Sequence, residues 1–273
     1  MALTHLARSR RFRERLGSGE PLLGTQLGLT DSTVMEIFGR TGWDWAVIDC
    51  EHSAQTPQTV THMLQAAYTS EIVPVLRPPC LDHDLIRRWL DIGATAIICP
   101  FIETAAEARQ LIDACQYPPR GRRGWGPRRA SDFGLSTPAY LAAVAESIAV
   151  LVIIESAQAV SNSAEILAID GIDGAMIGPM DLSIDLGVFQ QWQAPEYLDA
   201  VERVRDAAAQ TGKAFGAGAY DEQGIAQCIA RGESLLLITG DEPLLTSAAH
   251  TLAERVRGLI AADNAGSGDA DLR

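Results

Sequence analysis

The sequence predicts an α/β protein folded as a single (β/α)8 barrel of the TIM type. Three observations carry this expectation. Short apolar runs alternate with helix-patterned segments eight times along 273 residues, a length normal for one such barrel. Several runs stop abruptly in acids, His or Arg, as in Val47-Ile-Asp-Cys-Glu-His52 and Ile177-Gly-Pro-Met-Asp-Leu-Ser183. The C-terminal ends of buried parallel strands are where this fold places its chemistry. No G-x-G-x-x-G follows the first run, which counts against the runner-up, a doubly wound open sheet.

The elements follow in order. Met1 to Arg15 is Arg-rich and lacks the apolar stretch of a secretory signal, so it reads as a frayed surface helix. Leu22–Leu29 is the first strand, and Asp31 caps the helix that runs to Arg40. Trp43–Asp49, Ile72–Arg77 and Thr95–Phe101 are the next strands; helices over 56–70, 82–92 and 104–115 follow them in turn. Pro78-Pro79 stops the third strand. A Pro/Gly/Arg segment, Tyr117 to Gly134, precedes a short helix near 138–147. Val150–Glu155 with a helix over 156–169, Gly174–Gly178 with one over 195–210, and Ala214–Ala219 with one over 221–230 continue the alternation. Leu235–Thr239 and a helix over 241–261 complete it. Residues 1–262 form one domain, and the Gly/Ser/Asp-rich tail 263–273 is expected to be disordered.

Composition narrows the function. A net charge of −13 argues against nucleic acid or an anionic membrane as a general partner. The apolar stretches fall short of the roughly 20 residues that a membrane span needs. The five cysteines are scattered and contain no C-x-x-C, which suits a reducing cytoplasm.

In a barrel the strand ends converge on one mouth. That brings together Asp49, Glu51 and His52 from the second strand, Arg77 from the third, Glu155 from the fifth, and Gly178 to Asp181 from the sixth. Glu155 and Asp181 also suit helix N-termini, but two carboxylates on consecutive strands favour a hard divalent cation such as Mg²⁺, Mn²⁺ or Co²⁺. Arg77 reads as a clamp for a substrate oxygen, His52 as a base oriented by a neighbouring acid, and the amides around Gly178, Met180 and Asp181 as a carboxylate cradle.

Ile48-Asp-Cys-Glu-His52, Val75-Leu-Arg-Pro-Pro79, Leu90-Asp-Ile-Gly-Ala94, Tyr117-Pro-Pro-Arg-Gly-Arg-Arg-Gly124, Ile154-Glu155 and Ile177-Gly-Pro-Met-Asp-Leu-Ser183 together resemble, in the same order, the metal-dependent (class II) pyruvate aldolases typified by 4-hydroxy-2-oxoheptanedioate and 2-dehydro-3-deoxyglucarate aldolases. The similarity spans about Leu22 to Ala261. It implies that Glu155 and Asp181 hold the metal, that His52 is the base or activates a water, and that Asp91 pairs with that His. It also implies that Arg77 steadies the enolate, and that the barrel is a homo-oligomer (hexamer or trimer) with helices exchanged between subunits. The chain departs from the pattern at Ile153 in place of Gln, Gln26 in place of Trp, and Met180 in place of Ala.

The expected activity is a carbon–carbon lyase acting on 4-hydroxy-2-oxo acids through the enolate of pyruvate or hydroxypyruvate, with an aldehyde as the other half. Two alternatives are an enolate-forming enzyme that decarboxylates or condenses oxaloacetate, and a non-catalytic keto-acid-binding barrel. Lys213 is the only lysine and starts a strand rather than ending one, so a Schiff-base mechanism is not expected. Arg120, Arg122, Arg123, Arg128 and Arg129 form a basic cluster. It is expected either as a solvated loop or, through Arg123, as a contact to the distal end of the substrate over the mouth.

Overall fold

The computed structural model describes residues 3–219 and 221–268, with side chains through 262. The chain opens with α1 (Thr4–Ser18), then β1 (Leu22–Leu27), α2 (Ser32–Arg40), β2 (Trp45–Asp49), α3 (Pro57–Ala67), β3 (Val73–Arg77) and α4 (His83–Asp91). There follow β4 (Ala96–Cys99), α5 (Ala105–Cys115), α6 (Thr137–Ser147), β5 (Ala149–Ile154), α7 (Ala157–Ser161), α8 (Ser163–Leu167) and β6 (Gly174–Ile177). The last are α9 (Pro179–Asp185), α10 (Pro195–Thr211), β7 (Ala214–Gly216), α11 (Glu222–Ala230), β8 (Leu235–Gly240) and α12 (Asp241–Gly268). The eight strands form one parallel sheet in the order β7-β6-β5-β4-β3-β2-β1-β8. The two ends of that order meet through a hydrogen bond from Ser234 N to Phe215 O of 3.0 Å, so the barrel nearly closes.

Every second strand residue points inward. Trp45, Val47, Val73, Val75, Ala96, Ile98, Ala149, Leu151, Ile153, Met176, Ala214 and Leu235 fill the interior, and a larger cluster lies between sheet and helices. Trp45 is fully buried and donates its indole N–H to Leu22 O. Its ring occupies space that only Gly24 leaves, since a Cβ there would lie 2.2 Å from Trp45 Cε2.

The structure corrects four expectations. First, α1 is not frayed but closes the N-terminal end of the barrel, with Phe12 and Leu16 completing the interior cluster. Polar anchors hold it there. Ser9 Oγ donates to Thr95 O, and Arg13 forks onto Asp173, which in turn accepts from Val150 N. Second, the helix expected over 156–169 is broken at Asn162, whose amide donates to Glu103 O. Third, α12 runs to Gly268, beyond the helix end expected at residue 261; residues 269–273 lie outside the described residues, as does the expectation of disorder there.

The fourth correction concerns the arginine cluster, Asp91 and Arg123. Strands run toward the mouth and helices run back from it, so the C-terminal ends of α4 and α5 lie at the opposite, bottom end. Asp91 is the last residue of α4, and the arginine segment leaves α5, so neither reaches the mouth of its own chain. Ala130 of this segment accepts a hydrogen bond from His5 of α1 at 3.2 Å, which ties it to the bottom plug. Arg123 is fully buried, donates to Asp91 Oδ1 at 2.8 Å and stacks 4.6 Å from the Tyr117 ring centroid. Within its own chain it anchors the bottom loop, away from the mouth, and Asp91 is its counter-ion.

Two predictions follow from the bottom of the barrel. Removing one partner of a buried ion pair strands the other, so Arg123→Ala should cost roughly 3 kcal/mol in chemical denaturation while changing KM little. Burial lowers the His5 imidazole to about 4 from 6.5, although the Ala130 carbonyl and Asp132 pull upward. The folded His5 therefore stays neutral while the unfolded chain binds a proton, so its stabilisation is present above pH 6.5 and is lost as pH falls toward 4. The slope should approach about 1 kcal/mol per pH unit within that window. His5→Gln, which can still donate to Ala130, should flatten it in denaturation curves at pH 7.5 and 5.

Candidate active site

The mouth is organised by two consecutive strand ends. Asp49 closes β2 and Arg77 closes β3, and the two are directly paired in register. Arg77 forks onto the carboxylate, Nε to Oδ1 at 2.9 Å and Nη2 to Oδ2 at 2.7 Å, in a pair almost shielded from solvent. Asp49 Oδ1 also accepts from the amides of Glu51 and His52, and Oδ2 accepts from Gln26 Nε2 at 3.0 Å. Burial pushes the Asp49 carboxyl up, but the Arg77 guanidinium and these amides hold it below the ordinary carboxylate range. Arg77 Nη1 has no hydrogen-bond partner among the described residues, and Arg77 lines the cavity.

Glu51, half-buried, lies 3.3 Å from Arg77 Nε and 3.6 Å from His52 Nε2. The His52 side chain is 64% exposed at the rim, with Glu51 rather than Asp91 beside it. Burial raises the Glu51 carboxyl, with Arg77 opposing and Asp181 adding to the rise.

Glu155 follows β5. Its Oε1 accepts from Phe101 N at 2.7 Å, a contact that uses a left-handed backbone at Phe101 (φ 51°). Gly178, the residue after β6, has no side chain for a reason: a Cβ there would lie 2.3 Å from Glu155 Oε2. Gly178 precedes α9, which carries Asp181 in its first turn. Ser183, the last residue of the Gly-Pro-Met-Asp-Leu-Ser run, is buried and donates to Met180 O, which fixes this turn. Burial raises the Glu155 carboxyl to about 7, with Glu51 and Asp181 adding to it and the Phe101 amide and Arg77 opposing.

These groups surround one cavity of about 290 Å³, lined by Gln26, His52, Arg77, Glu155, Gly178 and Asp181 above an apolar base. That volume is at the small end for a ligand site. Among the described residues no three His, Cys, Asp or Glu side chains form a ready metal cluster. The donor set nevertheless fits a hard divalent cation. Two carboxylates reach the cavity, Glu155 Oε2 has no hydrogen-bond partner among the described residues, and the one nearby cation, Arg77, is engaged by Asp49. Water and substrate oxygens would complete the shell.

The structure thus brings Asp49, His52, Arg77, Glu155, Gly178, Met180 and Asp181 to one mouth and leaves Asp91 and Arg123 at the other end. Sequence reasoning placed Glu51 at this mouth and singled out Gln26 without giving either a contact, and it passed over the Phe101 amide, whose role depends on a backbone angle.

Comparison with known proteins finds relatives over most of the chain. The family model described as HpcH/HpaI aldolase/citrate lyase matches residues 24–247. The chain is 37% identical to a hydroxypyruvate/pyruvate aldolase of Deinococcus radiodurans over 247 residues, covering 90% of this chain and 89% of that one. It is 39% identical to a 2-keto-3-deoxy-L-rhamnonate aldolase of Escherichia coli over 239 residues, 87% and 89% of the two chains. A crystal structure of an HpcH/HpaI aldolase/citrate lyase family protein from Burkholderia cenocepacia superposes with a TM-score of 0.86 at 32% identity, covering 91% of this chain and 99% of that one. The chain belongs to the HpcH/HpaI aldolase/citrate lyase family.

Proposed function

We propose that the protein is a metal-dependent aldolase that cleaves or forms 4-hydroxy-2-oxo acids through a pyruvate-type enolate. The observation that carries this is the joining of the Asp49–Arg77 fork with Glu155 and Asp181 around one small cavity. Glu155 and Asp181 would hold a divalent cation, which would supply Lewis acidity toward the keto acid. Arg77, oriented by Asp49, places its free Nη1 where negative charge grows on the enolate oxygen. His52, with Glu51 beside it, takes the proton of the 4-hydroxyl directly or through a water. The C3–C4 bond then breaks to an aldehyde and an enolate, which is protonated on C3 to give the keto acid. Lys213 lies just before β7, at the bottom of the barrel, so a Schiff base at this mouth has no amine. The aldolase names of the relatives favour an aldehyde partner over decarboxylation or condensation of oxaloacetate. The polar rim argues against a barrel that only binds keto acids.

The decisive experiment assays pyruvate and hydroxypyruvate against a panel of aldehydes with Mg²⁺, Mn²⁺ or Co²⁺, and with chelator. Turnover should vanish on chelation and in Glu155→Ala and Asp181→Ala, which should also lose metal binding. His52→Ala should keep metal binding and lose about 10²–10⁴-fold in kcat. Full turnover after exhaustive chelation overturns the metal assignment.

The working unit is a homo-oligomer in the cytoplasm, a trimer or hexamer that exchanges α12. Among the described residues no helix is long and apolar enough to cross a membrane. Asp241 accepts the amides of Gly28 and Leu29 and anchors the start of α12. Beyond that turn the helix stands exposed, with Leu245, Leu252, Leu259 and Ile260 each 56–65% accessible. Such an apolar face calls for a second copy, and Asp91 can approach a His52 only from a neighbouring chain. Light scattering should give a trimer or hexamer for the full chain, and removal of residues 249–273 should yield smaller species with reduced activity.

A further inference from the structure

The inward-facing positions of the barrel change character within one layer. At the rim stand Gln26, Asp49, Arg77 and Glu155. One step down the same barrel are Val47, Ile98, Ile153, Met176 and Leu237, and all five line the cavity. Their side chains carry no nitrogen or oxygen. The backbone at this level is engaged in the ladders that pair Val47 with Val75, Ile98 with Leu151, and Ile153 with Met176. Nε2 of Gln26, a rim side chain above them, donates to Asp49. The change is abrupt. A single point, the missing Cβ of Gly178, lies 2.3 Å from Glu155 Oε2 and 3.0 Å from Ile153 Cγ2. The apolar surface therefore begins directly beside the carboxylate that faces the substrate.

A 2-keto acid bound at this rim meets all its polar partners there: Arg77, and the cation side with Glu155 and Asp181. What extends from the keto carbon is C3 and its substituent. An alkyl group suits the floor, whereas a hydroxyl would lose its water and find no donor or acceptor there. We propose that this pocket takes 2-keto acids with an alkyl group on C3, such as 2-oxobutanoate, as readily as pyruvate, that it takes hydroxypyruvate least well, and that Ile153 sets this preference. The proposal rests on the aldolase reading, and its test separates the two.

The test follows exchange of C3 protons in D2O by NMR, with Mn²⁺ or Mg²⁺ bound and no aldehyde. A base takes the C3 proton, the C–H electron pair becomes the C2=C3 bond while the carbonyl pair moves to the keto oxygen, and a deuteron returns to C3. The wild-type protein should exchange 2-oxobutanoate at least as efficiently as pyruvate, and hydroxypyruvate roughly 10–100-fold less, the range for a misplaced hydroxyl or methylene in such a pocket. Ile153→Gln should raise hydroxypyruvate exchange about tenfold or more and depress 2-oxobutanoate. Ile153→Val, a safer change in a packed floor, should shift the preference further toward the larger alkyl acid. Independently of turnover, ¹³C-methyl-labelled Ile153 or Met176 should show an intermolecular NOE to the C4 methyl of bound 2-oxobutanoate. Pyruvate exchange with 2-oxobutanoate silent, hydroxypyruvate as fast as 2-oxobutanoate, or absence of that NOE overturns the specificity while leaving the aldolase reading in place. Failure of all three keto acids to exchange overturns both.

Discussion

The Asp49–Arg77 fork is the contact on which the mouth depends. Two opposite charges at the ends of neighbouring strands are held almost dry, where their attraction is strong but their desolvation is costly. Both parallel hydrogen bonds have good geometry, and the remaining capacity of Asp49 is filled by two backbone amides and Gln26. The pair is therefore satisfied on the protein side with one guanidinium nitrogen to spare. That arrangement leaves Arg77, which also lies 3.3 Å from Glu51, lining the cavity. The same carboxylate sets the chain direction after β2, and so places His52 at the rim.

The two ends of the barrel divide the work. At the bottom, α1 seals the interior with Phe12 and Leu16, and the arginines there have protein partners: Arg13 with Asp173, Arg8 with the carbonyls of Ala67 and Ser70, Arg123 with Asp91. At the top, acids outnumber their partners. Glu51 and Glu155 are both pushed upward by burial and by Asp181. A site that concentrates carboxylates around a single engaged arginine is unfavourable for a resting protein and well suited to a cation. Between these ends lies the apolar floor of the cavity.

Much of this was legible in the residues. Apolar runs ending in charge, and a cap such as Asp31, located every strand and most of the helices that follow them. Parallel strands in a barrel converge whatever their loops do, so the meeting of Asp49, His52, Arg77, Glu155 and Asp181 followed from order along the chain alone. Tertiary structure decided what local pattern does not encode. An Arg-rich start looks solvated until Phe12 and Leu16 find the open end of the barrel. Arg123 is a candidate for the mouth, and Asp91 one only by family resemblance, until helix direction carries both to the bottom of their own chain, where they pair. The amide of Phe101 acquires its part through a left-handed backbone angle. Gly178 acquires its part because the Glu155 carboxylate fills the space of its absent side chain. Patterns along the chain determine which face a residue takes; which neighbour it meets there is set only when distant segments close on one another.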